Sequence, residues 1–307
     1  MYIFKQNDII PWEGCVATVG FFDGVHAGHR FLLEELKNIA KENHLNSLVV
    51  TFDKHPRKVL NANFQPKLLT TLNEKIEQFE TTGVDACLIL DFSKEFAFLT
   101  AYEFMKYVLV ERLKVKILLV GHDHRFGYNR EQGFDDYVKI GDELGVKVIE
   151  VAQFGQEENP HISSSEIRHA LENGKIEKAN EILTYPYSFS GKIIKGNQLG
   201  RYLGFPTANI KVDEKDKIIP KIGVYGVRVT VNGKSYKGMM NIGYRPTVEF
   251  ADDVKIEVNI IDFEGEIYNK TIKIEVLKHI REEKKFKNLN ELKIQLQKDR
   301  EMMDSLS

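Results

Sequence analysis

The hydrophobic pattern of this chain changes its period near residue 185, and this change constrains the fold more than any other feature. In the first part, short and nearly continuous apolar runs alternate with segments of helical period. Such runs are typical of strands in a parallel sheet whose two faces are both covered. The alternation predicts a doubly wound α/β domain, which binds ligands at the carboxyl ends of its strands. Strands are expected at 15–20, 47–52, 86–92, 116–121 and 146–151, and helices at 29–42, 72–82, 101–113 and 134–144.

Beyond residue 185, apolar and polar residues alternate with a period of two. Asn232 and Gly233 interrupt one such run and supply the two positive-φ residues of a tight hairpin turn. The segments 255–261 and 271–276 alternate in the same way. We therefore predict an antiparallel meander that closes into a small β-barrel. One apolar face of the strand before the turn is formed by Tyr225, Val227, Val229 and Val231.

The final segment, 288–303, returns to helical period and predicts a C-terminal helix. We expect its apolar stripe to pack on the barrel. The stripe consists of Leu289, Leu292, Leu296 and Met303. The break between the two patterns lies near 183–188 and predicts two domains, 1–184 and 185–307.

Charge balance and cysteine count exclude several classes of protein. The 307 residues include 43 Lys and Arg against 45 Asp and Glu, so a strongly basic nucleic-acid footprint is absent. The two cysteines, Cys15 and Cys87, provide neither zinc-ribbon spacing nor a disulfide framework. We find no secretory signal and no apolar run of about 20 residues. We expect a soluble, cytoplasmic protein with small-molecule substrates and with neither a nucleic-acid nor a membrane partner; its oligomeric state is not specified.

The stretch GFFDGVHAGHR, residues 20–30, follows the first apolar run and opens a helix. Amides at a helix N-terminus favour phosphate, and Gly24 and Gly28 allow the backbone to approach a ligand closely. His26 and His29 can add hydrogen bonds or positive charge to a phosphoryl group that gains negative charge. A plain turn with two surface histidines remains an alternative. Zinc is less favoured because no third ligand has suitable spacing.

This stretch resembles the first motif of the nucleotidyltransferase superfamily, which carries HxGH. The whole chain resembles the prokaryotic bifunctional riboflavin kinase/FAD synthetase family, through TFDKHP (51–56), 68–85, GHDHRFGYNREQG (121–133) and ISSSEIR (162–168). Two positions of these motifs depart from the family pattern. His124 stands where the family more often has an aromatic residue, and Ser165 replaces a threonine but keeps the hydroxyl.

The resemblance implies that His26 and His29 stabilise the charge that develops during adenylyl transfer. In ISSSEIR, a serine can cap a helix and Arg168, one turn further on, can clamp a phosphate; a plain N-cap with a surface arginine is the alternative. Asp123 and Arg125 are implied to lie near the flavin or nucleotide phosphate. The implied nucleotide-binding residues of this half are Gly20, Phe22, Asp23, Gly28, Ser163, Ser164 and Arg168.

The segment KGNQLGRYLGFPTANI, residues 195–210, is too rich in glycine for a regular strand and predicts a flap whose amides wrap a triphosphate. Thr207 and Asn209 offer two hard oxygen donors that suit Mg²⁺, although for an isolated PTAN a turn is the favoured interpretation. The run resembles the riboflavin kinase signature, which implies that Thr207 and Asn209 bind Mg²⁺–ATP. The implied nucleotide-binding residues of the flap are Gly196, Gly200, Arg201 and Gly204.

In KIEVNII, 255–261, the apolar side chains share one face, so Glu257 and Asn259 point the other way. A solvated carboxylate is the ordinary interpretation. The resemblance instead implies that Glu257 is the general base that takes the proton of the riboflavin 5′-hydroxyl. Asn259 departs from the histidine common in the family. Arg281 and Phe286 resemble flavin-binding positions, with a solvated helix face as the alternative.

Together these features predict a Rossmann-like nucleotidyltransferase domain followed by a small antiparallel riboflavin kinase barrel with a C-terminal helix. The resemblance implies conversion of riboflavin and ATP to FMN, then of FMN and ATP to FAD and pyrophosphate, with Mg²⁺ as cofactor. Three alternatives remain: a kinase whose first domain is inactive, a nucleotidyltransferase with another substrate, and a non-catalytic flavin-binding regulator.

Overall fold

The computed structural model describes residues 1–61, 63–122, 124–152, 154–155, 162–196, 200, 203–244 and 254–304. Its residues form two compact units, Met1–Ser164 and Ser165–Ser307. The helices α7 (Ser164–Glu172) and α8 (Ile176–Leu183) precede the barrel and, apart from Ser164, belong to its unit. The predicted domain limits, 1–184 and 185–307, stay a prediction.

The first unit is built on a six-stranded sheet in which every neighbouring pair is parallel. The strands are β1 (Tyr2–Lys5), β2 (Cys15–Val19), β3 (Asn46–Phe52), β4 (Ala86–Leu90), β5 (Val115–Gly121) and β6 (Lys147–Val151). Their order is β1-β4-β3-β2-β5-β6. The five predicted strands are confirmed, and β1 is an additional strand with exposed residues that gives no buried apolar run.

The four predicted helices of this unit are present, and two short helices, Pro56–Leu60 and Lys94–Ala97, were not predicted. They are α1 (Ala27–Glu42), α2 (Pro56–Leu60), α3 (Leu72–Glu80), α4 (Lys94–Ala97), α5 (Ala101–Glu103), which a π-helix (Phe104–Arg112) continues, and α6 (Phe134–Leu144). A single 3₁₀ turn covers Tyr128–Arg130. Both faces of the sheet are buried, because successive strand residues alternate between two apolar clusters. The prediction of a doubly wound parallel sheet is therefore confirmed.

The second unit contains a closed antiparallel barrel of six strands in the order β10-β11-β8-β7-β12-β9. The strands are β7 (Tyr187–Ile194), β8 (Thr207–Lys211), β9 (Gly223–Val231), β10 (Lys234–Tyr244), β11 (Val254–Ile260) and β12 (Thr271–Arg281). Asn232 and Gly233 connect β9 to β10 with φ of 49° and 77°, as the hairpin prediction requires. The barrel prediction is confirmed.

The C-terminal helix α9 (Leu289–Asp304) packs on the barrel through part of its predicted stripe. Leu292, Leu296 and Met303 join an apolar cluster with Met239 of β10. Leu289 is 54% exposed, so its predicted place in the packed stripe is wrong. It lies at the first residue of the helix, before the turns that contact the barrel. None of the helices in the described ranges combines the length and hydropathy that a membrane span needs.

Candidate active sites

The loop between β2 and α1 is shaped by unusual backbone angles and a buried carboxylate. Phe22, Gly24 and Val25 have φ of 53°, 81° and 36°. The Asp23 carboxylate accepts hydrogen bonds from the backbone N–H groups of Leu69 and Thr70, at 3.0 Å each to Oδ1. These bonds hold a conformation that non-glycine residues rarely adopt. The carboxylate predicted to bind nucleotide therefore fixes the loop in this structure.

His26 and His29 lie together at the start of α1. Their rings stack with centroids 3.7 Å apart and 19° between the ring planes. His26 is the N-cap residue, and its side chain makes no capping bond to the helix. His29 Nδ1 is buried and has no hydrogen-bond partner among the described residues. The spacing therefore brings two imidazoles to the helix N-terminus, where a ligand can use them.

The His29 imidazole is neutral at neutral pH. Burial of the ring lowers its pKa well below the usual value, and the charges of His26, His124 and Lys75 lower it further. Of the two modes expected for this residue, hydrogen bonding and positive charge, the structure favours hydrogen bonding by a neutral ring.

A cavity of about 300 Å³ opens at the carboxyl edge of the sheet beside these residues. This cavity, which we call the nucleotide cavity, is lined by four of the predicted site residues, Gly20, Phe22, Gly28 and His29. The described lining also includes Gly121, His122, His124, Phe154 and Ile162. Asp23 and His26 are not part of the described lining. The cavity lies where a doubly wound sheet binds its ligands.

A second cavity of about 300 Å³, the aromatic cavity, adjoins the first. Its walls are mostly apolar rings, and Arg125 lies at its lining as a predicted flavin-binding residue. The rings are Phe21, Phe52, Phe92, Phe96, Phe98, Phe104, Phe126 and Tyr128. The Tyr137 hydroxyl supports this wall: it donates to the Phe126 carbonyl at 3.0 Å and accepts from the Phe126 N–H at 2.8 Å. An aromatic lining of this kind suits a planar, fused ring system.

Lys75 of α3 is a site residue that the sequence analysis missed. Its side chain is buried, and Nζ donates to the Phe21 carbonyl at 2.9 Å, to Thr51 Oγ1 at 3.0 Å and to the Phe52 carbonyl at 3.2 Å. Burial lowers the pKa of the ammonium to about 8, although Asp23 and other acidic groups raise it. The lysine joins the ends of β2 and β3 directly beside the two cavities.

The segment ISSSEIR begins α7 at Ser164. The Ser164 hydroxyl donates to the Asp23 carbonyl at 2.9 Å, which links this segment to the loop after β2. Ser163 precedes the helix, and Arg168 lies one turn inside it, as the motif predicted. Two further predicted residues, Asp123 and Arg201, lie outside the described residues.

In the second unit, Glu257 lies on the outer side of the barrel wall. Ile256, Val258 and Ile260 of β11 are buried, so the alternate residues face the other way. Glu257 pairs with Asn209 of β8, and Asn259 pairs with Thr207. The register therefore places the predicted base and both predicted magnesium ligands on one patch of neighbouring strands.

A cavity of about 310 Å³, the carboxylate cavity, lies over this patch. It brings together five predicted residues, Gly200, Thr207, Glu257, Arg281 and Phe286. Apolar side chains of the barrel and of α9 complete much of its wall. Lys255 Nζ lies 3.0 Å from Glu257 Oε1, so a cation faces the carboxylate. The solvated-face interpretation of Arg281 and Phe286 is thereby disfavoured.

The Arg281 side chain is held by Asp299 of α9, another residue that the sequence analysis missed. Arg281 donates from Nε to Oδ1 at 3.0 Å and from Nη2 to Oδ2 at 2.8 Å, and Asp299 is fully buried. Gln295 Nε2 donates to the same carboxylate at 2.8 Å. This bidentate pair fixes a guanidinium that also lies 5.7 Å from the Phe286 ring centroid.

Two flap glycines lie directly against the magnesium-ligand candidates. A Cβ at Gly196 would lie 1.9 Å from Asn209 Nδ2, and a Cβ at Gly200 would lie 2.2 Å from the Phe205 carbonyl oxygen and 3.4 Å from Thr207 Oγ1. No side chain fits at either position. Gly204 has φ of 82°, which favours glycine for a different reason. The glycine pattern is therefore a requirement for close approach of the flap to β8.

A further cavity of about 420 Å³, the rim cavity, lies on the other side of Thr207. Its described lining includes Ile193, Phe263, Glu266 and Tyr268. Thr207 is the described residue that lines both this cavity and the carboxylate cavity.

The described residues contain no group of three or more His, Cys, Asp or Glu side chains that could hold a metal. A hydroxyl and an amide on alternate residues of β8 fit a different mode, in which a nucleotide and water supply most ligands of Mg²⁺. The donor set of Thr207 and Asn209 is therefore compatible with a nucleotide-bound magnesium ion.

Comparisons with known proteins assign both halves of the chain. The family model described as FAD synthetase matches residues 9–166, and that of riboflavin kinase matches residues 183–306. The chain is 39% identical to a bifunctional riboflavin kinase/FMN adenylyltransferase of Escherichia coli K12, over 94% of this chain and 91% of the relative. A relative of that description from Listeria monocytogenes is 40% identical, over 92% and 90%. A solved structure described as a macrolide-efflux protein from Streptococcus pneumoniae is 30% identical, with a TM-score of 0.89 and full coverage of both chains.

Proposed function

The chain belongs to the bifunctional riboflavin kinase/FMN adenylyltransferase family, and we propose that each activity uses the two adjoining cavities of one compact unit. The enzyme phosphorylates riboflavin with ATP to FMN and ADP, and it adenylylates FMN with a second ATP to FAD and pyrophosphate. One observation supports the proposal most strongly: in each unit, two cavities meet at a polar side chain, His124 in the first and Thr207 in the second.

In the kinase half, riboflavin occupies the carboxylate cavity and ATP occupies the rim cavity. The phosphate is transferred from ATP to riboflavin beside Thr207, which lines both cavities. The apolar lining near Phe286 accommodates the ring system, and Arg281, fixed by Asp299, bounds the pocket. Glu257 accepts the proton of the riboflavin 5′-hydroxyl as the oxygen attacks the γ-phosphorus. Lys255 orients the carboxylate until the substrate hydroxyl reaches it.

Thr207 and Asn209 hold Mg²⁺ on the nucleotide. The ion supplies charge neutralisation of the triphosphate. Gly196 and Gly200 allow the flap to approach these two residues without a steric clash, which keeps the oxygen donors of β8 close to the phosphate chain.

In the adenylyl-transfer half, ATP occupies the nucleotide cavity and the flavin ring of FMN the aromatic cavity. The FMN phosphate attacks the α-phosphorus of ATP, and pyrophosphate leaves. His29 donates a hydrogen bond to the phosphoryl oxygens as charge develops, and the amides at the start of α1 support them. Arg125 lies on the flavin side of this site.

Incubation of the purified chain with riboflavin, ATP and Mg²⁺, followed by chromatography of the flavins, tests the proposal. FMN should appear first and FAD should follow, and chelation of Mg²⁺ should stop both. FMN as the final product would contradict an active first half and would favour the kinase-only alternative. Unchanged riboflavin would contradict both activities and favour a non-catalytic flavin-binding protein.

A further inference from the structure

His124 occupies a distinctive position in the first unit. Three described residues line both the nucleotide cavity and the aromatic cavity: Val19, Phe21 and His124. The first two have apolar side chains, so His124 is the only one of the three whose side chain can form a hydrogen bond. It also lies close enough to His29 that a charge on its ring would lower the pKa of His29. The imidazole is therefore at the junction where two ligands would meet.

A buried nitrogen of this ring has no hydrogen-bond partner among the described residues. His124 Nε2 is inaccessible to water and makes no hydrogen bond to any described residue. A buried polar atom without a partner is energetically unfavourable, so such atoms in native sites generally serve a ligand or a bound molecule. The centroid of the ring lies 6.1 Å from that of Phe126 in the aromatic wall. This contact is apolar, so it does not supply a hydrogen bond to either ring nitrogen.

We propose that His124 is a binding residue for the phosphate of FMN, to which its Nε2–H donates a hydrogen bond during adenylyl transfer. This inference rests on the proposed function, since it assumes that a flavin and a nucleotide occupy the two cavities. The flavin ring on one side and the nucleotide on the other place the phosphate of FMN at their shared wall. That wall contains one described side chain able to bind a phosphate oxygen.

The charge state of the ring suits this role. Burial, together with the nearby Arg130 guanidinium, lowers the pKa of His124 to about 4. The ring is thus neutral at neutral pH and carries one N–H. A neutral donor can bind a phosphate oxygen without forming a salt bridge. A salt bridge would neutralise part of the negative charge of the nucleophile. The attacking oxygen therefore stays nucleophilic while the phosphate is oriented.

His124→Phe tests the proposal, because phenylalanine keeps an aromatic ring and removes both nitrogens. We expect kcat/KM for FMN in FAD formation to fall at least tenfold, with KM for ATP and riboflavin phosphorylation unchanged. His44→Asn is the control. His44 is exposed and lines neither the nucleotide cavity nor the aromatic cavity, so its replacement should change FAD formation less than threefold.

A second measurement isolates the phosphate. In a Glu257→Gln background, where riboflavin is not consumed, riboflavin competes with FMN for the adenylyl-transfer site but has no phosphate. His124→Phe should weaken the binding of FMN and leave the inhibition constant of riboflavin unchanged. An equal loss for both flavins would overturn the proposal in favour of a role in shaping the pocket.

The remaining outcomes are also decisive. Unchanged kcat/KM for FMN in His124→Phe, or a loss confined to ATP, would overturn the proposal. If the phenylalanine variant does not fold, as judged by circular dichroism, His124→Gln replaces it: an amide N–H should retain more FMN affinity than His124→Ala, and equal affinity contradicts the proposal. Absence of FAD from the unsubstituted chain would instead contradict the proposed function.

Discussion

Each unit contains two adjoining cavities, but the units differ in the charged side chains that line them. The described lining of the nucleotide and aromatic cavities contains imidazoles and arginines and no carboxylate. The carboxylate cavity is lined by Glu257, Glu283 and Asp299 together with the cations Lys255, Arg281 and Lys284. The difference lies in the side chains that face the reacting groups, not in the number of cavities.

The nucleophiles explain this difference. The phosphate of FMN is already an anion at neutral pH, so a carboxylate beside it would repel it and a base would have no proton to remove. Under the proposed function, the riboflavin hydroxyl is neutral and must lose its proton, so Glu257 in the carboxylate cavity serves as a base. Each site therefore carries the group that its nucleophile requires, and changes in one site should not affect the other.

The largest effect is expected for Glu257→Gln, which keeps the shape of the side chain and removes the base. FMN formation should fall by about 100- to 10,000-fold, while FAD formation from supplied FMN stays the same. Steady-state assays of the two half-reactions measure both. Glu275→Gln, on an exposed pair with Arg228, is the control and should stay within twofold. Parallel loss of both activities in folded protein would contradict separate sites.

His29→Ala tests the other side of the comparison. Loss of a positioned hydrogen-bond donor should reduce FAD formation by about 100- to 1,000-fold and leave riboflavin phosphorylation intact. His44→Asn, an exposed position after α1 with φ of 54°, provides a neutral control because asparagine tolerates this backbone. A normal rate of FAD formation in His29→Ala would remove the imidazole from the mechanism.

Gly196→Ala sharpens the comparison from the kinase side. The added Cβ overlaps the Asn209 amide, so the flap or the amide must move away from the nucleotide. We expect a loss of about 10- to 100-fold in kinase kcat/KM for ATP, without effect on FAD formation from FMN. Gly133→Ala, which meets nothing within 4 Å, should be neutral. Equal kinase activity in both variants would mean that the close approach is dispensable.

Lys75→Met is expected to reduce FAD formation about tenfold, because the Phe21 carbonyl loses its donor and the loop beside the cavities loosens. Riboflavin phosphorylation should not change. Lys139→Met, at an exposed position of α6, is the control. Retention of full adenylyl transfer in Lys75→Met would restrict this lysine to a structural role.

The same lysine predicts a pH effect on stability. Its folded pKa of about 8 lies below the usual value of 10.5, so the unfolded chain binds more protons between these values. The penalty of burying the charge is complete below pH 8 and disappears as the pH rises to about 10.5. From pH 8 to pH 10, the melting temperature of the unsubstituted chain should therefore rise relative to that of Lys75→Met. A difference in melting temperature that does not change with pH would contradict the burial of a charged lysine.

The smallest effect is expected for Asn259→His. Asn259 Nδ2 donates to the Pro206 carbonyl at 2.7 Å and so supports the segment that carries Thr207. Histidine can also donate through a ring N–H, so kinase activity should change by less than about threefold. Asn259→Leu, which cannot donate, should lose more activity than Asn259→His. Equal losses would show that this bond does not support the site.

The sequence predicted the two folds because period and turn chemistry are local properties. The five predicted strands and the Asn232-Gly233 hairpin carry their signals within a few residues. β1 was missed because its apolar run, Tyr2–Phe4, is shorter than those of the predicted strands and is mostly exposed. The prediction for Leu289 was wrong because the apolar stripe of a helix does not show how far the barrel surface extends beneath it.

The site residues divide in the same way. His26, His29 and Glu257 belong to recognisable local motifs, and the structure places them at a helix N-terminus and on the outer barrel face. Lys75 and Asp299 were missed because each looks like an ordinary solvated charge on a helix. Their burial depends on tertiary packing, which neither residue's neighbours in the sequence specify.

The most direct test of two independent sites is a mixing experiment. Glu257→Gln and His29→Ala are each incubated with riboflavin, ATP and Mg²⁺, alone and together, and the flavins are resolved by chromatography. Each variant alone should yield no FAD. At high protein concentration, the mixture should yield FAD at a rate comparable to that of the unsubstituted chain, because FMN made by one variant diffuses to the other. A mixture that accumulates FMN without FAD, or that leaves riboflavin unchanged, would contradict the account.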